Sequence, residues 1–244
     1  MNKTVIVTGG SNGIGAATVI LFAEKGYNVI LNYNHSAQAA LFLQQSLCES
    51  GYNVTAIRAD VSVRSEVDVM IDKAIGLYGS VDVLVNNAAI AQQKLFTDIT
   101  EEDWNNMIST NLTGTFNCCQ AVSRCMINNK SGCIINISSI WGLTGSSCEV
   151  HYSASKAAVI GFTKALAKEF GPSNIRVNCV APGVVATKMN QSLSIEDLNL
   201  LIDETPLGRI GTAEEIANTI FFLADDASGF ITGQVISPNG GFYI

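Results

Sequence analysis

The chain has 244 residues, 48% of them hydrophobic and 14% charged, and a formal net charge of −7. That balance suits a well-packed globule with a substantial core, and it argues against nucleic acid or an anionic membrane surface as partner, since both demand positive charge. The seven cysteines contain no CxxC pair and there are only two histidines, so no metal site is expected and the thiols are read as reduced. No secretory pattern precedes the first strand and no apolar run approaches the roughly 18 residues of a membrane span, which makes the cytoplasm the expected compartment.

Lys3 to Thr8 is a β-branched run that breaks at Gly9-Gly10, and helical spacing follows from Ile14 to Glu24. The turn between them reads T-G-G-S-N-G-I-G, with Gly9, Gly13 and Gly15 allowing the backbone to tighten against a pyrophosphate at the positive end of the helix dipole. The second strand, Asn28 to Tyr33, ends in Tyr33-Asn34-His35-Ser36 where an NAD-binding unit usually carries an acidic residue for the ribose diol. With no carboxylate to repel a 2′-phosphate and with hydroxyl and imidazole donors at hand, NADP(H) is expected rather than NAD(H). His35 is either a phosphate contact or an ordinary loop histidine. Ser36 to Ser50 reads as helix, Asn53 to Ala59 as strand, Arg64 to Tyr78 as helix and Val81 to Val85 as an apolar strand. Strands separated by helical segments of this length predict a parallel, doubly wound sheet. Asp60, before Val61, either bonds the adenine amine or shapes the turn; Asn87 and Ala88 let the turn after Val85 pass close to a flat cofactor.

Thr100 to Asn129 is predicted as one long helix opened by a capping box from Thr100 to Asp103. Asn111 and Gly114 interrupt it with residues that helices disfavour, a break of the kind found at functional sites. Cys133 to Ile137 is a strand, and Ser139 follows at its carboxyl end, where open α/β sheets hold their ligands. Val150 to Phe170 is the next helix, carrying Tyr152 and Lys156 on one face. A neighbouring ammonium is expected to favour the ionised phenol, whose ordinary pKa is about 10, and so to make Tyr152 a better proton donor. After the strand Ile175 to Val180, residues 187–206 read as a lid over the ligand edge, and Ala213 to Ala224 resumes a helix. No repeat or linker divides the chain, so residues 1–244 are read as one domain.

These motifs, in this order, resemble the short-chain dehydrogenase/reductase family over essentially the whole chain. The resemblance rests on T-G-G-S-N-G-I-G, Asp60-Val61, Asn86-Asn87-Ala88, Asn111, Ser139, Y-S-A-S-K, Pro182-Gly183 with Thr187, and P-L-G-R after the lid. It implies a single-domain Rossmann fold with a sheet of about seven strands and helices on both faces. It also implies a tetrad: Ser139 holds the substrate carbonyl, Tyr152 protonates it, Lys156 lowers the phenol pKa and holds the nicotinamide ribose, and Asn111 fixes a water in a proton relay. The cofactor would lie along Gly9, Ser11, Asn12, Gly13, Ile14, Gly15, Tyr33, Asn34, His35, Ser36, Asp60, Val61, Asn87 and Ala88. Its nicotinamide end would meet Tyr152, Lys156, Pro182, Gly183, Val185 and Thr187. A homotetramer assembled through the two long helices is implied as well.

Within the family, the length and the carboxyl-terminal segment look most like 3-oxoacyl-acyl-carrier-protein reductases, which act on carrier-linked ketones. The segment around Trp141 and Glu149 also looks like bacterial reductases of the aminopentanone modification on elongation factor P. On that reading Glu149 pairs with a substrate amine and Trp141 walls an aliphatic chain; otherwise Glu149 caps its helix and Trp141 packs under the lid. The competing class is a catalytically silent NADP-binding regulatory protein.

Overall fold

The computed structural model describes residues 2–187 and 195–244. Seven short runs rich in Val and Ile form one wholly parallel sheet: β1 (Thr4–Val7), β2 (Asn28–Tyr33), β3 (Val54–Arg58), β4 (Val83–Asn86), β5 (Gly132–Ile137), β6 (Ile175–Val180) and β7 (Val235–Ile236). Their order across the sheet is β3-β2-β1-β4-β5-β6-β7. Parallel strands need crossover helices, which cover both faces, so the central strands are apolar on both sides rather than alternating. Val5, Val7 and Leu31 pack on one face with Val19 and Phe22 of α1 (Gly13–Glu24), Leu47 of α2 (Ala37–Glu49), and Ile216 and Ile220 of α9 (Ala213–Ala224). Ile6, Ile30, Leu84 and Ile134 face the other way, toward Met70 of α3 (Arg64–Tyr78), Met126 of α5 (Gly114–Asn129) and Phe170 of α7 (Val150–Phe170). The expected Rossmann architecture is therefore the observed one.

The topology also creates the crevice. From β1 the chain builds outward to β2 and β3, then returns to the opposite side of β1 as β4, so the segments leaving β1 and β4 part in opposite directions. Val7 pairs with Val85, so both segments depart at the same level.

The long predicted helix is not continuous. α4 (Glu101–Ile108) is opened by the expected capping box: the Asp103 amide donates to the Thr100 hydroxyl at 3.1 Å, and the Thr100 amide donates to the Asp103 carboxylate at 2.9 Å. A π-turn, Ser109–Thr113, separates it from α5 and contains Asn111, so the predicted interruption takes the form of a widened turn. Gly114 follows because a Cβ there would stand 2.5 Å from the Val61 side chain. The short α6 (Trp141–Thr144) leads into α7. Of the predicted lid, residues 188–194 lie outside the described residues. Its remaining part includes α8 (Ile195–Asp203), and beyond it the Leu207 amide donates to the Gly240 carbonyl at 3.1 Å. Among the described residues no helix is long and apolar enough to cross a membrane, and no group of three or more His, Cys, Asp or Glu side chains is placed to hold a metal ion.

Candidate active site

Two adjoining cavities run along the carboxyl ends of the strands and share Ile14, Asn87, Ala89 and Thr187 in their walls, forming one crevice. The first part is shaped by the glycine turn. A Cβ on Gly15 would fall 2.2 Å from the Gly9 carbonyl oxygen and 2.6 Å from the Asn87 amide nitrogen, so the chain folds back on itself more closely than any side chain permits. Thr8 clamps this turn to β4: its buried hydroxyl accepts from the Asn87 amide at 2.9 Å and from the Ala88 amide at 3.0 Å. The Asn87 side chain returns the bond, donating to the Thr8 carbonyl at 3.0 Å. Asn32, buried in β2, accepts from the Gly9 amide at 3.3 Å and donates to the Ala59 carbonyl at 2.9 Å. No side chain caps α1; Asn12 at its start donates instead to the Ser11 hydroxyl at 3.0 Å. First-turn amides without a side-chain cap, beside a glycine cradle, fit a pyrophosphate. Beyond them Tyr33, Asn34, His35, Ser36, Asp60 and Val61 line the same cavity.

Asp60 has a structural commitment. It accepts from the Ser62 hydroxyl at 2.6 Å, from the Ser62 amide at 2.9 Å and from the Asn34 side chain at 2.8 Å. Burial works to raise its pKa, but these hydrogen bonds outweigh it and hold the carboxyl below its ordinary range.

The second part of the crevice holds Ser139, Tyr152 and Lys156 together, all nearly buried, with Asn87, Trp141, Glu149, Pro182, Gly183, Val185 and Thr187 around them. The Ser139 hydroxyl accepts from the Trp141 amide at 3.2 Å and acts on the Tyr152 phenol to lower its pKa. The Lys156 ammonium donates to the Ile137 carbonyl at 2.8 Å and lies 5.7 Å from the Tyr152 ring centre. Burial drives both groups toward neutrality. It pushes the phenol up to about 12, against the opposing influence of the Ser139 hydroxyl and with help from the Glu149 charge, and pushes the ammonium down to about 8. The expected lowering of the phenol pKa is thus not produced by these protein groups: desolvation outweighs a cation turned onto a carbonyl.

Asn111 is brought near but does not line the crevice. Its carboxamide accepts from the Ile90 amide and donates to the Ile90 carbonyl, each at 2.9 Å, and is 3.1 Å from the Ser155 hydroxyl, which in turn donates to the Tyr152 carbonyl at 2.7 Å. It fixes the loop after β4 and the first turn of α7 from behind.

Glu149 precedes α7 without capping it, since its side chain makes no cap hydrogen bond. It is only 9% exposed, its Oε2 has no partner, and burial raises its pKa. Trp141 meets Phe242 edge to face at 5.7 Å, so its support comes from the carboxyl-terminal segment. Sequence reasoning passed over His151, which is fully buried and bonded through Nε2 to Gln92 at 3.0 Å; Gln92 donates to Asp103 at 3.0 Å. That chain pins a crevice wall to α4 and α7. Thr8, just past the end of β1, and Asn32 were also missed, although a polar residue inside an otherwise apolar strand, as Asn32 is in β2, is itself a signal.

A glycine cradle at the switch point, continuous with a pocket holding a buried tyrosine, lysine and serine, defines a nicotinamide-dinucleotide oxidoreductase acting between a ketone and an alcohol. A family model described as enoyl-(acyl carrier protein) reductase matches residues 9–243. A 3-oxoacyl-[acyl-carrier-protein] reductase of Chlamydia trachomatis is 47% identical over 242 residues, covering 99% of this chain and 97% of the relative. The reductase of the same name from Staphylococcus epidermidis is 43% identical over 244 residues, covering 100% of both. The chain belongs to the short-chain dehydrogenase/reductase family.

Proposed function

We propose that this chain uses NADPH to reduce a 3-oxoacyl group, presented as a thioester on an acyl carrier protein, to the 3-hydroxyacyl product. The carrying observation is the convergence of Ser139, Tyr152 and Lys156 in one buried pocket continuous with the glycine cradle. When bound in the crevice, the reduced nicotinamide supplies hydride to the carbonyl carbon. Ser139 Oγ orients the carbonyl oxygen. Tyr152 Oη donates its proton to that oxygen as negative charge develops on it; a phenol held up at about 12 carries this proton throughout the neutral range. Lys156 Nζ, now on the Ile137 carbonyl, lies close enough to the ring to stabilise the phenolate left behind. Asn111 acts as a positioning residue for the loop and helix on either side of Tyr152.

The names of the curated relatives support the carrier-linked substrate, and the absence of a carboxylate at Tyr33 to Ser36 supports NADPH. Exposed Trp104, Phe116 and Ile127 on α4 and α5, and exposed Val150 on α7, support a homotetramer built through the two long helical segments, 100–129 and 150–170. Turnover of an acetoacetyl thioester followed through NADPH absorbance tests the reading. Tyr152→Phe is expected to lower kcat by several orders of magnitude while retaining NADPH binding; retained turnover would remove Tyr152 from the chemistry. An equal or better rate with NADH would overturn the cofactor choice.

A second reading is favoured by Glu149 alone. A nine-tenths-buried glutamate in the pocket lining, with one carboxylate oxygen unpartnered, would be satisfied by a cationic donor on the substrate, as in a ketone carrying an amine such as the aminopentanone group. Comparing the thioester with an amino-ketone on native protein and Glu149→Gln decides between them. An amino-ketone preference that collapses in the variant favours the amine.

A further inference from the structure

The cavity that would hold the adenosine end of the cofactor is lined by His35 and Asp60 but, among the described residues, by no lysine or arginine. The end of β2 has no carboxylate to repel a phosphate dianion, but the lining gives it no permanent countercharge either. The sheet supplies one from another strand. Arg58 is the last residue of β3 and pairs in register with Tyr33, the last residue of β2, placing it about one strand spacing away, roughly 4.8 Å. Its Nη2 donates to the Asn34 carboxamide oxygen at 3.2 Å, and Asn34 also lies 3.3 Å from the His35 ring.

We propose that Arg58 is the residue that reads the 2′-phosphate, reaching it over Asn34 and His35 from the neighbouring strand. This rests on the NADPH reading above and names the residue that would make the choice. The Arg58 side chain is 57% exposed, and its pair with Glu66 is loose at 3.4 Å. Glu66 also accepts from the Asp60 amide at 2.9 Å. An exposed pair of this length contributes little, so the guanidinium can turn to a stronger acceptor at small cost. A guanidinium has five N–H donors in a fixed fork suited to phosphate oxygens, and few are engaged here.

The test is calorimetric binding of adenosine 2′,5′-bisphosphate and of adenosine 5′-monophosphate to native protein, Arg58→Gln and His35→Ala. Native protein should prefer the bisphosphate by at least about tenfold, and Arg58→Gln should remove most of that preference, a loss of roughly ten- to a hundredfold in the ratio of affinities. The native preference should also shrink with added salt. A native preference that persists in Arg58→Gln, or that collapses only in His35→Ala, overturns the assignment and leaves the NADPH reading standing. Equal native affinity for the two nucleotides overturns both. Arg58 is exposed on an edge strand, so the substitution leaves the core untouched.

Discussion

The glycine cradle makes its strongest prediction at Gly15, the third residue of α1. Its backbone does not require a positive φ, so alanine is conformationally acceptable and helix preference alone would return up to about 1 kcal/mol. Space decides the opposite sign. The new Cβ would stand 2.2 Å from the Gly9 carbonyl oxygen and 2.6 Å from the Asn87 amide nitrogen, where carbon contacts prefer about 3.5–4.0 Å. Neither neighbour is a free side-chain tip: one is backbone, and the other is tied to Thr8 and Gly9 at 3.0 and 3.2 Å. Overpacking of this kind costs roughly 1–3 kcal/mol, and a contact as short as 2.2 Å against backbone falls at the upper end, which leaves a net loss of up to about 2 kcal/mol and, for a chain of this size, a Tm lower by up to about 8 °C. Gly76 of α3 is the internal comparison, because a Cβ there meets nothing within 4 Å. Gly76→Ala should raise Tm by about 1–4 °C. Calorimetric or dichroism melts of the two variants measure the difference, and weaker dinucleotide binding should accompany only Gly15→Ala. If Gly15→Ala melts at or above the native temperature and binds NADPH normally, the crowding argument is wrong.

Thr8→Val keeps the shape of the side chain but takes the acceptor from the half-buried Ala88 amide and leaves the Asn87 amide only the Val85 carbonyl at 3.2 Å, so stability should fall by about 1 kcal/mol in denaturant titration; a neutral variant would mean the clamp is dispensable. Asn111→Ala unpairs the Ile90 amide and carbonyl, and should both lower Tm and reduce kcat without touching the reacting atoms, which steady-state kinetics beside a melt will separate. Glu215 is held at about 2 by the Arg209 guanidinium and the Thr212 amide, below its usual 4.5. Its folded pKa is depressed, so its contribution is complete above the ordinary carboxylate range and drains away as pH falls toward 2. In Glu215→Gln that part of the acid limb of a Tm-against-pH curve should flatten.

Much of this molecule was legible along the chain. The alternation of short β-branched apolar runs with longer helical segments marked out the doubly wound sheet, because parallel strands buried on both faces are apolar throughout, and their short length and β-branched content separate them from helices. Tyr152 and Lys156 announced their shared face through a spacing of four on a helix, and the Thr100 capping box was local enough to read directly. Where the sequence reading fell short, the cause was environment. The phenol pKa rises because burial removes water from a side chain whose neighbours in sequence give no measure of its depth. Asn111 sits within the π-turn and bonds the Ile90 backbone, a partner 21 residues away that local sequence does not mark, and Glu149 left its helix uncapped for the same want of local signal.

Sequence by itself determined the strand-and-helix order, the glycine turn and the candidate side chains of the crevice, which are read from patterns spanning a few residues. Only the tertiary structure decided that Thr8 clamps Asn87, that Arg58 stands beside Asn34, and that Glu149 loses its solvent. Those outcomes come from the register between strands far apart in the chain, and no local preference encodes which strand end will lie next to which.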